Sequence, residues 1–126
     1  MVTVAFRAPR EVVFDYLADP RNRPAWQSSL ARVEAVDGDV RVGQTWTDVT
    51  RPGLRPRLET TELDRPHRWT ERGTWRGITA VLTLTFAETA EGCAVSATVD
   101  AALPLRLLAP YAVRGDLRRA ASTFSA

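Results

Sequence analysis

The sequence predicts an α+β domain: an antiparallel sheet of about seven strands, two short helices after the first strand, and one long C-terminal helix covering a face of the sheet. Three observations lead there. Apolar and polar residues alternate in short runs between Arg32 and Ala101. Short turns containing Gly, Pro and Asp separate those runs, and short turns join strands as antiparallel neighbours. After Ala101 the period changes to that of a helix, and this last segment is the only element large enough to cover a sheet face.

Residues 1–7 alternate like a half-buried strand. Pro9 suits the first turn of a helix, where a missing N–H costs nothing, and Val13, Tyr16 and Leu17 recur at helical spacing. Asp19-Pro20 ends that helix, because the residue before a proline is pushed out of the helical region. A second short helix is expected over 22–30, including Pro24 and Trp26. Residues 32–36 alternate, and Asp37-Gly38-Asp39 is a hairpin signal. The next strand spans 44–50, Arg51-Pro52-Gly53 turns the chain, and a strand over 57–63 closes at Asp64-Arg65-Pro66-His67. Residues 68–75 follow, then a turn at Arg76-Gly77. The clearest strand is 78–86, aliphatic on one side and mostly Thr on the other, and the last strand is 93–101. Leu103, Leu107, Leu108, Tyr111 and Ala112 then read as one helical stripe, continued by Leu117, Ala120, Ala121 and Phe124. Pro104 fits the first turn of this helix, whereas Pro110 is expected to kink it or split off its first two turns, and Gly115 to loosen it.

The length of 126 residues fits one domain over 1–126, and no repeat or Ser/Gly-rich linker divides the chain. All 17 basic residues are Arg, set against 15 acids and interleaved with them. Arg suits bidentate anion recognition, but a codon bias acting on solvated positions is the favoured reading. No sustained basic stripe is present, so nucleic acid is not an expected partner. The single cysteine, Cys93, cannot form an internal disulfide and reads as a small buried residue. No run approaches the length of a membrane span, and residues 1–10 lack a signal-peptide core. A cytoplasmic protein without integral membrane association is expected by default, as a monomer or homodimer. With one His and one Cys, no metal site is expected. The glycines are scattered among turns and form no phosphate-cradling loop, so no cofactor is expected.

The element order and several segments resemble one known superfamily. Ala8-Pro9-Arg10-Glu11-Val12-Val13-Phe14-Asp15-Tyr16-Leu17-Ala18-Asp19-Pro20 is similar to its opening segment, and Arg23-Pro24-Ala25-Trp26 to its short second helix. Gly38 with Val42-Gly43-Gln44-Thr45-Trp46 resembles its first hairpin, and residues 61–69 its next strand–turn–strand. The superfamily is the helix-grip (START-like, SRPBCC) group, which includes polyketide cyclases/dehydrases and lipid carriers. The resemblance implies a curved sheet wrapped around the C-terminal helix, with a cavity between them.

Within such a fold, alternation assigns the inward positions. On the clearest strand these are Ile78, Ala80, Leu82, Leu84 and Phe86, and on the last strand Val95, Ala97 and Val99. On the middle strands they are Trp46, Asp48, Leu58, Thr60, Trp69, Glu71 and Trp75. Leu107, Leu108 and Tyr111 would close the lid. Trp46, Trp69 and Trp75 read equally as a stacking surface for an aromatic ligand or as core filling. Trp26 reads as packing for the short helix. Asp48 and Glu71 are the candidate proton-moving groups, because burial would raise their pKa values; the alternative is pairing with Arg57 or Arg72, or facing water. Tyr111 is a third candidate, either orienting a ligand or packing with a wet tip. His67 lies in a turn far from the expected cavity and offers no triad chemistry.

Three functions follow as expectations. The first is carriage or sequestration of a small hydrophobic, aromatic or polycyclic molecule. The second is a small cyclase or dehydratase acting on a polyketide-like substrate in the same cavity. The third is a module whose cavity is filled by its own tryptophans and which acts through protein contacts.

Overall fold

The computed structural model describes residues 1–124. In chain order the elements are β1 (Val2–Phe6), α1 (Arg10–Ala18), α2 (Arg23–Trp26), β2 (Leu30–Glu34), β3 (Thr45–Thr50), β4 (Arg57–Asp64), β5 (Arg68–Trp75), β6 (Ile78–Thr89), β7 (Gly92–Ala101) and α3 (Leu105–Ser122). A 3-10 turn at Pro20–Asn22 leads into α2. The seven strands form one antiparallel sheet in the order β1-β7-β6-β5-β4-β3-β2. The strands from β2 to β7 are a meander, and β1 joins the edge beside β7 with Val4 opposite Val95. This is the α+β, helix-grip arrangement that the sequence predicts.

Most of the strands' apolar residues lie on the helix-bearing face. Along β6 and β7 the register sets Leu82 opposite Val99, Leu84 opposite Ala97, and Phe86 opposite Val95. In β4 the register shifts between Thr60 and Glu62. One extra residue reverses the face that later side chains occupy. Leu58 and Thr60 therefore point inward before the shift, and Leu63 packs against the core after it, opposite Trp69. The core gathers Phe14 and Leu17 of α1, Trp26 of α2, Trp46, Trp69 and Leu84 of the sheet, and Leu117 and Ala120 of α3.

Three local expectations need correction. The second helix stops at Trp26 rather than Leu30, because Gln27 turns extended and the Ser28 N–H donates to Asp116 Oδ1 on α3 at 3.3 Å. The link between β2 and β3 is a loop over 35–44 rather than a tight hairpin at Asp37-Gly38-Asp39. Arg21 Nη2 and Gln44 Nε2 both donate to the Gly38 carbonyl, at 2.8 and 3.0 Å, which holds that loop. Finally, α3 runs unbroken through Pro110 and Gly115. Proline there removes the bond to the Arg106 carbonyl, but Arg106 is exposed and water can take its place.

The stripe on α3 also differs from the expected one. Val113, Leu117, Ala120, Ala121 and Phe124 contact the core. An α-helix advances about 100° per residue, so Leu108 lies about 180° around from Leu117, and Leu107 and Tyr111 about 80° and 120° off. Accordingly Leu107, Leu108 and Tyr111 are 65%, 62% and 81% exposed. They form no lid.

A candidate ligand cavity above a buried ion-pair triad

The inward face of the sheet has two territories. Where α1 and the C-terminal half of α3 cover it, it is filled. Beyond the first turn of α3 it is open, and a cavity of about 510 Å³ lies there. Its wall is Leu58, Gly73, Trp75, Ala80, Leu82 and Val99 from the sheet, with Ile78 and Val81 at the β6 end. Leu54 and Pro56 close one side from the loop after β3, and Pro104 and Leu105 close another from the start of α3. Gly73 sits opposite Leu58 and Ala80, and a Cβ on it would come within 2.9 Å of Leu58 Cδ1. Absence of a side chain at that point keeps the space open.

Charge is concentrated at one end of this apolar space, where Arg23, Asp48 and Glu71 line the wall. Asp48 on β3 and Glu71 on β5 both point inward, on strands separated only by β4. Arg23, the first residue of α2, reaches over them and is 2% exposed. Its Nε donates to Asp48 Oδ1 at 3.2 Å and its Nη2 to Asp48 Oδ2 at 2.9 Å, a bidentate pair. Trp46 Nε1 donates to Asp48 Oδ1 at 3.0 Å, and the Arg23 guanidinium lies 5.2 Å from the Trp46 ring centre. Gln27 accepts from Arg23 Nη2 at 3.2 Å. Glu71 is held less completely. Its Oε2 forms an ion pair with Arg23 Nη1 at 2.9 Å, and Oε1 accepts from Nη2 at only 3.5 Å.

This arrangement sets the protonation of the triad. Burial works against the Arg23 guanidinium, yet Glu71 and Asp48 outweigh it and hold its pKa above the ordinary value. For Glu71, burial pushes the pKa up, Arg23 pulls it down, and neighbouring Asp48 pushes it up again, leaving it raised. A folded-state pKa above the unfolded one means that folding favours the protonated acid. The stability contributed by Glu71 is then full below the ordinary glutamate range and is lost as pH rises through the raised value. Denaturant melts across pH should show Glu71→Gln gaining on the wild type above the ordinary glutamate range. A gap that stays constant with pH would contradict this.

The sequence-derived candidates divide by territory. Asp48, Leu58, Glu71, Trp75, Ile78, Ala80, Leu82 and Val99 lie in the cavity wall. Trp46, Thr60, Trp69, Val95 and Ala97 point inward but are buried in the core. Trp26 is buried there too. Asp48 and Glu71 pair with Arg23 and not with Arg57, which donates to Thr45 and Thr47, or Arg72, which pairs with Glu59. The His67 side chain is exposed beside Asp64. Arg23 was missed. One signal pointed to it: two inward acids on nearby strands need a buried cation, and Arg23 is three residues before the inward Trp26 on a short helix.

Among the described residues no helix is long and apolar enough to cross a membrane, and no cluster of three or more His, Cys, Asp or Glu could hold a metal ion.

Comparison with solved structures supports the fold. A protein from Mesorhizobium loti superposes with a TM-score of 0.79 at 14% identity, covering 98% of this chain and 94% of its own. A protein from Chromobacterium violaceum gives 0.76 at 16% identity, covering 99% and 95%. The di-domain ARO/CYC StfQ from the steffimycin biosynthetic pathway gives 0.77 at 17% identity, with 98% of this chain matching 49% of that one. No curated protein matches the chain. The family described as "Polyketide cyclase / dehydrase and lipid transport" matches residues 1–126 from end to end, and the chain belongs to that family.

Proposed function

We propose that the protein binds a small, flat, largely apolar organic molecule in the cavity between β3–β7 and the start of α3. The observation that carries this reading is the open volume of about 510 Å³ with apolar walls and a few polar groups at one end. Ligand pockets typically fall between about 300 and 1,000 Å³ with that kind of lining. The space persists although all four tryptophans are in place, which favours a ligand over a cavity filled by the protein itself. Trp75 is the only tryptophan in the wall, and its ring also carries Arg76 at 5.2 Å.

The experiment is a panel of polycyclic aromatics, flavonoids, fatty acids and sterols, followed by tryptophan fluorescence and thermal shift. A binder should quench fluorescence and raise the melting temperature. In Trp75→Phe the quench should be lost while the thermal shift remains. A quench that survives in Trp75→Phe, or no shift from any compound, counts against the site.

A second reading is supported by the raised pKa of Glu71 in the same wall. A carboxyl whose pKa is raised by burial can give and take a proton beside a reacting carbonyl. On this reading the cavity folds a polyketide-like substrate, as the family description allows. Glu71→Gln would then remove turnover while leaving binding, and Asp48→Asn would weaken both by freeing Arg23.

A further inference from the structure

Resting on the reading of the cavity as a ligand site, we propose that it selects an organic cation: a flat apolar body carrying a protonated amine that docks on the Glu71 carboxylate. The argument is a count of charges. One guanidinium faces two carboxylates, and Arg23 directs its Nε and Nη2 to the two oxygens of Asp48. Asp48 also takes the Trp46 N–H and is fully satisfied. Glu71 is 5% exposed, lines the cavity, and shares the same guanidinium, with Oε2 2.9 Å from Arg23 Nη1 and Oε1 3.5 Å from Nη2. One positive charge against two buried carboxylates leaves the triad with a net negative charge in the cavity wall, which a ligand ammonium offsets.

Among the described residues, Arg23 is the one cation that acts on it. Arg57 and Arg72 are engaged on the opposite face, with Thr45, Thr47 and Glu59. Asp116 of α3 is the next charged group towards Arg23; it is half-buried, accepts from Ser28, and adds negative rather than positive charge. The groups that face Glu71 are therefore Arg23 from α2 and Asp48 from β3, with Asp116 behind them. Burial and then the neighbouring Asp48 raise the Glu71 pKa, against the pull of Arg23. An ammonium group pairs with the Glu71 carboxylate, and protonation of Glu71 competes with it. Arg23, the guanidinium in the wall, is already directed at Asp48 and Glu71.

The test uses three isosteres, 2-naphthylmethylamine, 2-naphthylmethanol and 2-naphthoate, by calorimetry on the wild type and Glu71→Gln. Glutamine is isosteric with the protonated acid, and circular dichroism checks the fold of the variant. The amine should bind at least about tenfold more tightly than the alcohol at neutral pH. Its affinity should fall as the pH is lowered and Glu71 protonates. In Glu71→Gln the amine and the alcohol should agree within about twofold. Equal or tighter binding of the alcohol or the naphthoate to the wild type overturns the proposal and leaves the cavity reading standing. So does an amine preference that survives in Glu71→Gln. If none of the three binds, the cavity reading falls and the proposal with it.

Discussion

Replacing Arg23 by Met should destabilise the fold by about 3–5 kcal/mol, the cost of leaving buried carboxylates without their cation. Asp48 would lose both guanidinium donors and retain only Trp46 Nε1, while Glu71 would lose its one close positive neighbour. The loss should shrink at low pH, where both acids can protonate. It should also be largely recovered in the triple variant Arg23→Met, Asp48→Asn, Glu71→Gln, because a buried triad replaced as a unit leaves no orphaned charge. Urea melts of the single and triple variants decide the point. A single variant within about 1 kcal/mol of the wild type would mean that the three groups are far more hydrated than their burial implies.

Trp69→Ala should cost about as much, roughly 3–5 kcal/mol, and should leave ligand affinity intact if the variant is kept folded at low temperature. Trp69 is 1% exposed, stands opposite Leu63 and Leu84, and lies in the core rather than the cavity wall. Its Nε1 has no hydrogen-bond partner, so Trp69→Phe should be much milder, because it removes an unsatisfied donor while keeping most of the ring. Trp75→Ala should show the reverse pattern: a small loss of stability, since Trp75 is only half-buried, and a clear loss of ligand binding. Calorimetric melting temperatures and ligand titrations of the two alanine variants, side by side, check this division of labour.

The contrast between those tryptophans shows what could be read from the chain. Period two in β5 places Trp69, Glu71 and Trp75 on one face, and that much was legible. Whether a position on that face meets another side chain or open space depends on where α3 ends its cover, which alternation does not encode. The α3 stripe itself was misread because two apolar sets, one around Leu107 and one around Leu117, lie at different angles on one helix. Pro110 carries the expectation of a kink or a split, although an exposed first half of a helix tolerates one missing bond. Asp48 and Glu71 were found by facing alone. Their partner was not, because Arg23 comes from a helix of four residues with no periodicity to mark its buried side. Leu54 and Pro56 were missed for a similar reason: they sit outside the strands, where alternation gives no face.

The most direct test of the central claim fills the cavity. Ala80 lies in the wall between Gly73 and Ala101 in the sheet register, so Ala80→Phe projects a ring into the open volume. The account predicts a variant that melts at or above the wild-type temperature and no longer binds any compound the wild type binds. A variant that keeps wild-type affinity would place the ligand elsewhere and contradict the account.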